Sequence, residues 1–242
     1  MKSPKEHYDS FLSEKYAWML GDWKEKEEEQ FYLFQTWGLA PKGKGLAWDL
    51  GAGNGLQSLA LERLGFDVLA LDLSDQLLSE ISLRKPDTKI RTKTIDIRNP
   101  ELYRGEAPEL LVCMGDTLPH LDSAPEVENL VSIWSSFLRP GSLLAIAYRD
   151  LSYGKQGNTL GFNVRSERDR IFSCILRFGE EKTEVTDIFQ EWKDGAWVFS
   201  ASSYNKLNLP LDRFLILLDR YGFSLKTEEE KKGMRYILAE KS

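Results

Sequence analysis

Cysteine and histidine are almost absent from this chain, with two of each in 242 residues, and the shortage removes several chemistries at once. Cys113 and Cys174 are too few for a disulfide framework, and each lies in an apolar or strand-like run that reads as a buried thiol. Unpaired thiols fit a reducing, cytoplasmic setting. His7 and His120 stand far apart, and neither combines with a cysteine at ligand spacing, so no metal site is expected. Basic residues are not in excess either: 32 Lys and Arg face 38 Asp and Glu, a formal charge of -6. That is the wrong sign for a protein that wraps a phosphate backbone, so no nucleic-acid partner is expected. No apolar run approaches the roughly 20 residues of a membrane span, and residues 1–6 lack the apolar core of a signal peptide. A soluble, unexported protein without a membrane partner is the expectation. A G-x-S-x-G elbow for a serine hydrolase and a Tyr-x-x-x-Lys pair for an oxidoreductase are also missing.

Against these absences, residues 46–55 and 66–72 join an apolar strand, a glycine-rich turn and a second strand that ends in Asp72. Gly51, Gly53 and Gly55 alternate with Ala52 and Asn54, more glycine than a simple strand-to-helix turn needs. The spacing is Asp49-x-Gly-x-Gly-x-Gly55, not the G-x-G-x-x-G of dinucleotide sites. With an acid before the turn and no base within it, the loop suits a ligand bearing an ammonium group better than a diphosphate. Asp72 is placed to accept both hydroxyls of a ribose; helix capping is its alternative role, as it is for Asp96 and Asn54.

The order of elements is an alternation. Residues 46–50, 67–71, 89–95, 110–114 and 142–148 read as strands, with helices over 56–64, 75–84 and 125–138 and a short one near Glu101. Repeated units of this kind give a parallel sheet with helices on both faces. Upstream, Tyr8, Phe11 and Leu12, then Phe31, Phe34 and Gln35, recur at helical spacing on either side of Gly21 and Asp22. Downstream, 169–178, 183–192 and 196–207 read as an antiparallel meander. A helix over 211–221 and strands over 223–227 and 235–240, flanking a charged turn at 228–233, close the chain.

The glycine turn resembles motif I of the class I S-adenosylmethionine-dependent methyltransferases, and the resemblance continues beyond it, through residues 113–121 and Tyr148-Arg149-Asp150 to the closing helix and hairpin. It implies four cofactor stations: Asp49, Gly51, Ala52, Gly53 and Asn54 for the methionine portion; Asp72 for the ribose with Leu73 against the adenine; Asp96 and the backbone of Ile97 for the adenine edge; and Met114 with Gly115, where donor and acceptor meet. The run from Gly115 to Leu121, including Leu118, Pro119 and His120, is similar to small-molecule N-methyltransferases of the glycine and sarcosine type. The Asn/Asp-Pro-Pro-Tyr/Phe signature of enzymes acting on DNA adenine or glutamine is missing. Residues 16–19 resemble the family's lid, which adds Tyr16 and Trp18 to the cofactor contacts.

The resemblance therefore implies a Rossmann-like, doubly wound, seven-stranded α/β sheet whose last strand is antiparallel, with a β-meander insertion after the fifth strand and an N-terminal helical lid. In these terms residues 1–40 are the lid and 41–242 the methyltransferase domain, with the insertion at about 160–208 covering the carboxyl edge of the sheet or forming an interface in a homo-oligomer. The expected activity is methyl transfer from S-adenosylmethionine to a small molecule, with an amine favoured. Candidate acceptor-site residues are His120 as a base, Arg149 as a clamp for a substrate carboxylate, and Tyr148 beside it. An ion pair with Asp150 is the alternative for Arg149, and a structural contact for His120. Other readings left open are an RNA or protein methyltransferase, a non-catalytic cofactor-binding protein of the same fold, and an NAD-dependent oxidoreductase, which the glycine spacing disfavours.

Overall fold

The computed structural model describes residues 4–7, 11, 15, 18, 19 and 21–242, and for Pro4 and Lys5 the backbone alone. Tyr8, Leu12, Tyr16 and Ala17, named above for the first helix and the lid, lie outside the described residues. Two units divide the chain: Met1–Gly21 with Leu151–Pro210, and Asp22–Asp150 with Leu211–Ser242.

The strands in chain order are β1 (Leu46–Leu50), β2 (Asp67–Asp72), β3 (Arg91–Thr94), β4 (Leu110–Cys113), β5 (Leu143–Tyr148), β6 (Thr159–Ser166), β7 (Arg170–Phe178), β8 (Lys182–Lys193), β9 (Ala196–Leu207), β10 (Phe223–Lys231) and β11 (Met234–Lys241). The larger unit holds a seven-stranded sheet in the order β10-β11-β5-β4-β1-β2-β3. Strands β1 to β5 are parallel, while β11 runs antiparallel to β5 and to β10. Because β1 is flanked by both β2 and β4, chain direction across the sheet reverses there, and open α/β sheets bind ligands outside the carboxyl ends of the strands at such a point.

Local chemistry sets the helix starts. Asp22 caps the helix Trp23–Thr36 by accepting from the N–H of Lys24 and Glu25, Ser74 caps Asp75–Arg84, and Ser123 caps Ala124–Phe137, which also carries Pro125 in its first turn. The core beneath Trp23–Thr36 joins Leu33 and Phe34 to Ala47, Val68, Leu110, Val112 and Ala145, all buried. Strands covered on both faces in this way are the near-continuous apolar runs seen in the sequence. Among the described residues no helix is long and apolar enough to cross a membrane.

Two elements differ from the sequence reading. The closing hairpin is longer: residues 228–231 are strand rather than turn, paired with Met234–Ile237 around Lys232 and Gly233, both at positive φ. Arg235 reaches Glu228 and Glu230 across that hairpin, so charge pairing supports a solvated extension with no apolar signal.

The smaller unit's sheet has four strands, β6-β7-β8-β9, all antiparallel, with β6 added to the expected three. β6 alternates Leu160, Phe162 and Val164 with Gly161, Asn163 and Arg165, and it sits at the sheet edge, paired with β7, with almost every residue exposed. In the same unit His7 is wholly buried, its ring nitrogens 2.9 Å from Ser202 Oγ and 3.1 Å from Asp187 Oδ2.

Candidate functional site

At the carboxyl end of β1, Asp49 is buried and accepts a hydrogen bond from Ser58 Oγ at 2.6 Å, one turn into the helix Leu56–Arg63. Burial pushes the Asp49 carboxyl up to about 7, with the nearby Asp72 charge adding to the rise and the Ser58 bonds opposing it. The same burial raises the Cys113 thiol at the end of β4, with the Asp49 charge behind it.

The glycine turn that follows is fixed to β2. Gly51 and Ala52 donate to the carbonyl of Leu71, and Gly53 donates to Asp72 Oδ2 at 2.8 Å. The other Asp72 oxygen accepts from the N–H of Ser74 at 2.8 Å. Each oxygen of Asp72 therefore takes part in holding the turn and the residue after β2. Asp72 is thus a brace between the turn and the second strand as well as a candidate ribose acceptor. It does not cap the next helix, a task Ser74 performs.

Two glycines show different needs. A Cβ on Gly51 would come 2.3 to 3.0 Å from the Thr117 side chain, so this position is glycine for close packing against the loop after β4. A Cβ on Gly53 would meet nothing within 4 Å, although its φ of +53° already disfavours a side chain. Gly53 therefore borders open space.

Beside it, Asn54 is buried, and its Nδ2 has no hydrogen-bond partner among the described residues. Helix capping does not explain this residue, since the cap is Gly55 and makes no side-chain cap bond. A buried amide donor without an acceptor costs about 1–3 kcal/mol, so it points to an acceptor supplied by a ligand.

Next along the carboxyl edge, Leu73 is exposed at the end of β2. Asp96 follows β3, and Arg98 forks it, Nε at 3.0 Å from Oδ1 and Nη2 at 2.7 Å from Oδ2, while the Arg98 N–H meets Oδ1 at 2.8 Å. The Arg98 hydrogen bond holds the Asp96 carboxyl below the usual range. Ile97 is buried and its carbonyl accepts from Tyr103 Oη at 2.6 Å.

After β4, Met114 is buried, and Gly115 and Asp116 both have positive φ, +75° and +79°. For Asp116 that conformation is uncommon and is held by two bonds to β5 and its end: its N–H donates to Ala147 O at 3.2 Å, and its Oδ1 accepts from Arg149 N at 2.7 Å. The Arg149 guanidinium is half-exposed and 3.7 Å from Asp116 Oδ2. Its carboxylate partner is therefore Asp116; Asp150 instead accepts from the N–H of Leu211 at the start of the helix Leu211–Arg220. His120 ends the 3-10 turn Leu118–His120 beyond Asp116. Tyr148 is wholly buried with its ring edge-on to Phe214, and burial raises its phenol so that the hydroxyl stays protonated. It is a core residue of this unit rather than a surface wall.

Trp18 belongs to the smaller unit, where its ring meets Phe189 edge-on at 5.6 Å. Asp49 and Asp72, in the last residues of β1 and β2, thus gather with Gly51 to Asn54, Leu73, Asp96, Ile97, Met114, Gly115 and Arg149 on the loops at the carboxyl ends of β1 to β5. Ser58, Arg98, Tyr103 and Asp116 also act there, and the sequence reading assigned none of them a role. Asp116 carried a signal, lying inside a recognisable run. Ser58 and Tyr103 carried none, because their bonds depend on which elements pack together.

Residues 48–146 match the family model described as a methyltransferase domain. Two curated relatives are similar to the chain: mouse glycine N-methyltransferase, 26% identical over 43% of this chain and 40% of that one, and glycine/sarcosine N-methyltransferase of Aphanothece halophytica, 27% identical over 55% and 54%. The chain spans about half the length of these relatives. Among solved structures, the S-adenosylmethionine-bound amino pentose methyltransferase of Micromonospora echinaspora has the same fold, with a TM-score of 0.72 and 17% identity over 96% of this chain and 97% of that one.

Proposed function

We propose that the chain is a class I S-adenosylmethionine-dependent methyltransferase, that it binds S-adenosylmethionine at the glycine turn, and that it methylates the nitrogen of a small molecule that also bears a carboxylate. The observation that carries the cofactor half is Asn54, a buried amide without an acceptor beside the open side of Gly53. The cofactor's carboxylate would satisfy that donor. Asp49 would face the ammonium group, Asp72 the ribose hydroxyls, Leu73 a face of the adenine, and Asp96 with the N–H of Ile97 its polar edge.

When bound, S-adenosylmethionine supplies a methyl group activated by a sulfonium charge. The protein then has to align an acceptor lone pair and exclude water. Arg149, with its backbone fixed by Asp116 and its guanidinium half-exposed, is the residue we assign to the acceptor's carboxylate, where a bidentate pair fixes orientation. The attacking amine has to be neutral, and His120 is assigned to take its proton, an imidazole being suited to that near neutral pH. Acceptor choice is supported by the names of the relatives, which act on glycine, on glycine and sarcosine, and on an amino pentose.

The test incubates the full chain with S-adenosylmethionine and a panel of amino acids, amino sugars, tRNA and protein, following S-adenosylhomocysteine and methylated product by mass. Product from a small amino acid is expected. Transfer to tRNA or protein alone would overturn the acceptor class.

A further inference from the structure

A hydrogen-bonded relay runs from the core of the larger unit to the segment assigned to the adenine. Trp134, wholly buried in the helix Ala124–Phe137, donates from Nε1 to Tyr103 Oη at 3.1 Å, and Tyr103 Oη donates to the carbonyl of Ile97 at 2.6 Å. A hydroxyl that accepts one bond becomes the better donor for the next. The Tyr103 ring cannot easily swing away, because it lies 6.4 Å from the Trp48 ring and 5.4 Å from the Phe137 ring, which are themselves 5.1 Å apart. Burial raises the phenol, so the hydroxyl remains a donor across the working pH range. From the other side, Arg98 forks the Asp96 carboxylate and donates its own N–H to it. Residues 96–98 are thereby held through both a side chain and a main-chain carbonyl, on a loop with no regular structure of its own.

We propose that Tyr103, oriented by Trp134, is a positioning residue for adenine recognition: its bond to the Ile97 carbonyl fixes the Asp96–Ile97 segment in the geometry that reads the adenine edge. The inference rests on the cofactor reading above. Its bland competitor is that Tyr103 and Trp134 merely satisfy each other inside the core. The two differ in what they predict for base selectivity, since a packing role affects every nucleoside ligand alike.

The experiment titrates the full chain and the variants Tyr103→Phe and Trp134→Phe calorimetrically with S-adenosylhomocysteine and with S-inosylhomocysteine, whose 6-oxo group replaces the amine at that edge. The wild type should prefer the adenosyl ligand. Tyr103→Phe should weaken the adenosyl ligand about fivefold, the effect of losing one net hydrogen bond, and the inosyl ligand less than twofold, so that the preference shrinks. Trp134→Phe keeps the Tyr103 bond and should reduce the preference by about twofold, and this reading stands even if Tyr103→Phe does not fold. A preference unchanged in the folded variants, with both ligands weakened equally or neither affected, overturns the proposal. A wild type that binds neither nucleoside overturns the cofactor reading itself, and the proposal with it.

Discussion

Replacing Asp49 by Asn should make the protein more stable and less able to bind its cofactor. The carboxyl is buried at the end of β1, its titration raised from an ordinary 3.8 to about 7 chiefly by burial. Between about pH 4 and pH 7 the folded protein therefore retains a proton that the unfolded chain has lost, and stability falls as pH rises through that window. Above pH 7 the cost is complete. At about 1.4 kcal/mol for each pH unit, a rise from 3.8 to about 7 amounts to about 4 kcal/mol. Asn keeps an oxygen for the Ser58 hydroxyl and carries no charge to desolvate, so most of that cost should vanish. Urea unfolding at pH 4.5, 6 and 8 reads the difference. The variant should match the wild type near pH 4.5 and exceed it by up to about 4 kcal/mol at pH 8. Wild-type stability that is flat across the window, or a variant no more stable at pH 8, would refute the reasoning. In the same samples, S-adenosylmethionine should bind the variant more weakly, and its binding to the wild type near pH 6.5 should release a proton, detectable as a dependence of the binding enthalpy on the buffer.

Three further substitutions separate the roles around the turn. Gly53→Val should abolish cofactor binding, because the new side chain enters open space, at the cost of about 1–3 kcal/mol of backbone strain from its positive φ, whereas Gly51→Ala adds a collision with Thr117 to a strain of the same kind and should lose more stability; melting and ligand titration of both variants distinguish the two. Asp72→Ala removes the acceptor for Gly53 and Ser74 as well as the ribose contact, and cofactor affinity should fall by about 2–3 kcal/mol, measured by calorimetry. Arg149→Ala should raise KM for the carboxylate-bearing acceptor at least tenfold, the loss of about 1.5–3 kcal/mol from one charged pair, while cofactor affinity stays within twofold; equal damage to both would remove Arg149 from the acceptor site.

The parallel half of the fold was legible because β1, β2, β4 and β5 are largely buried and so appear as apolar runs, and because the helices after β2 and β4 start on serine caps, while β3 is exposed throughout and carries no such run. The glycine turn was legible for a different reason: alternate positions without side chains are uncommon unless backbone conformation or close approach demands them. What escaped was set by pairing. The outer part of β10 has no apolar alternation and forms against β11 with cross-strand charge pairs, whereas β6 does alternate, Leu160, Phe162 and Val164, but with glycine and asparagine between them and all three apolar side chains exposed. The braces of the site escaped likewise. Nothing in the spacing of Ile97, Tyr103 and Trp134 announces that a hydroxyl will lie between a carbonyl and an indole, and nothing near Arg149 reveals that Asp116, 33 residues earlier, will hold its N–H. Asp72 was legible as an acid in the right place and not as the anchor of the turn it faces.

The central claim is that the turn from Asp49 to Gly55 receives S-adenosylmethionine. Its most direct test is a calorimetric titration of the full chain with S-adenosylmethionine, S-adenosylhomocysteine and NAD in parallel. Binding of the first two with Kd in the micromolar range and none of NAD is the result the account predicts; binding of NAD alone, or of none of the three, would contradict it and dissolve every role assigned around the turn.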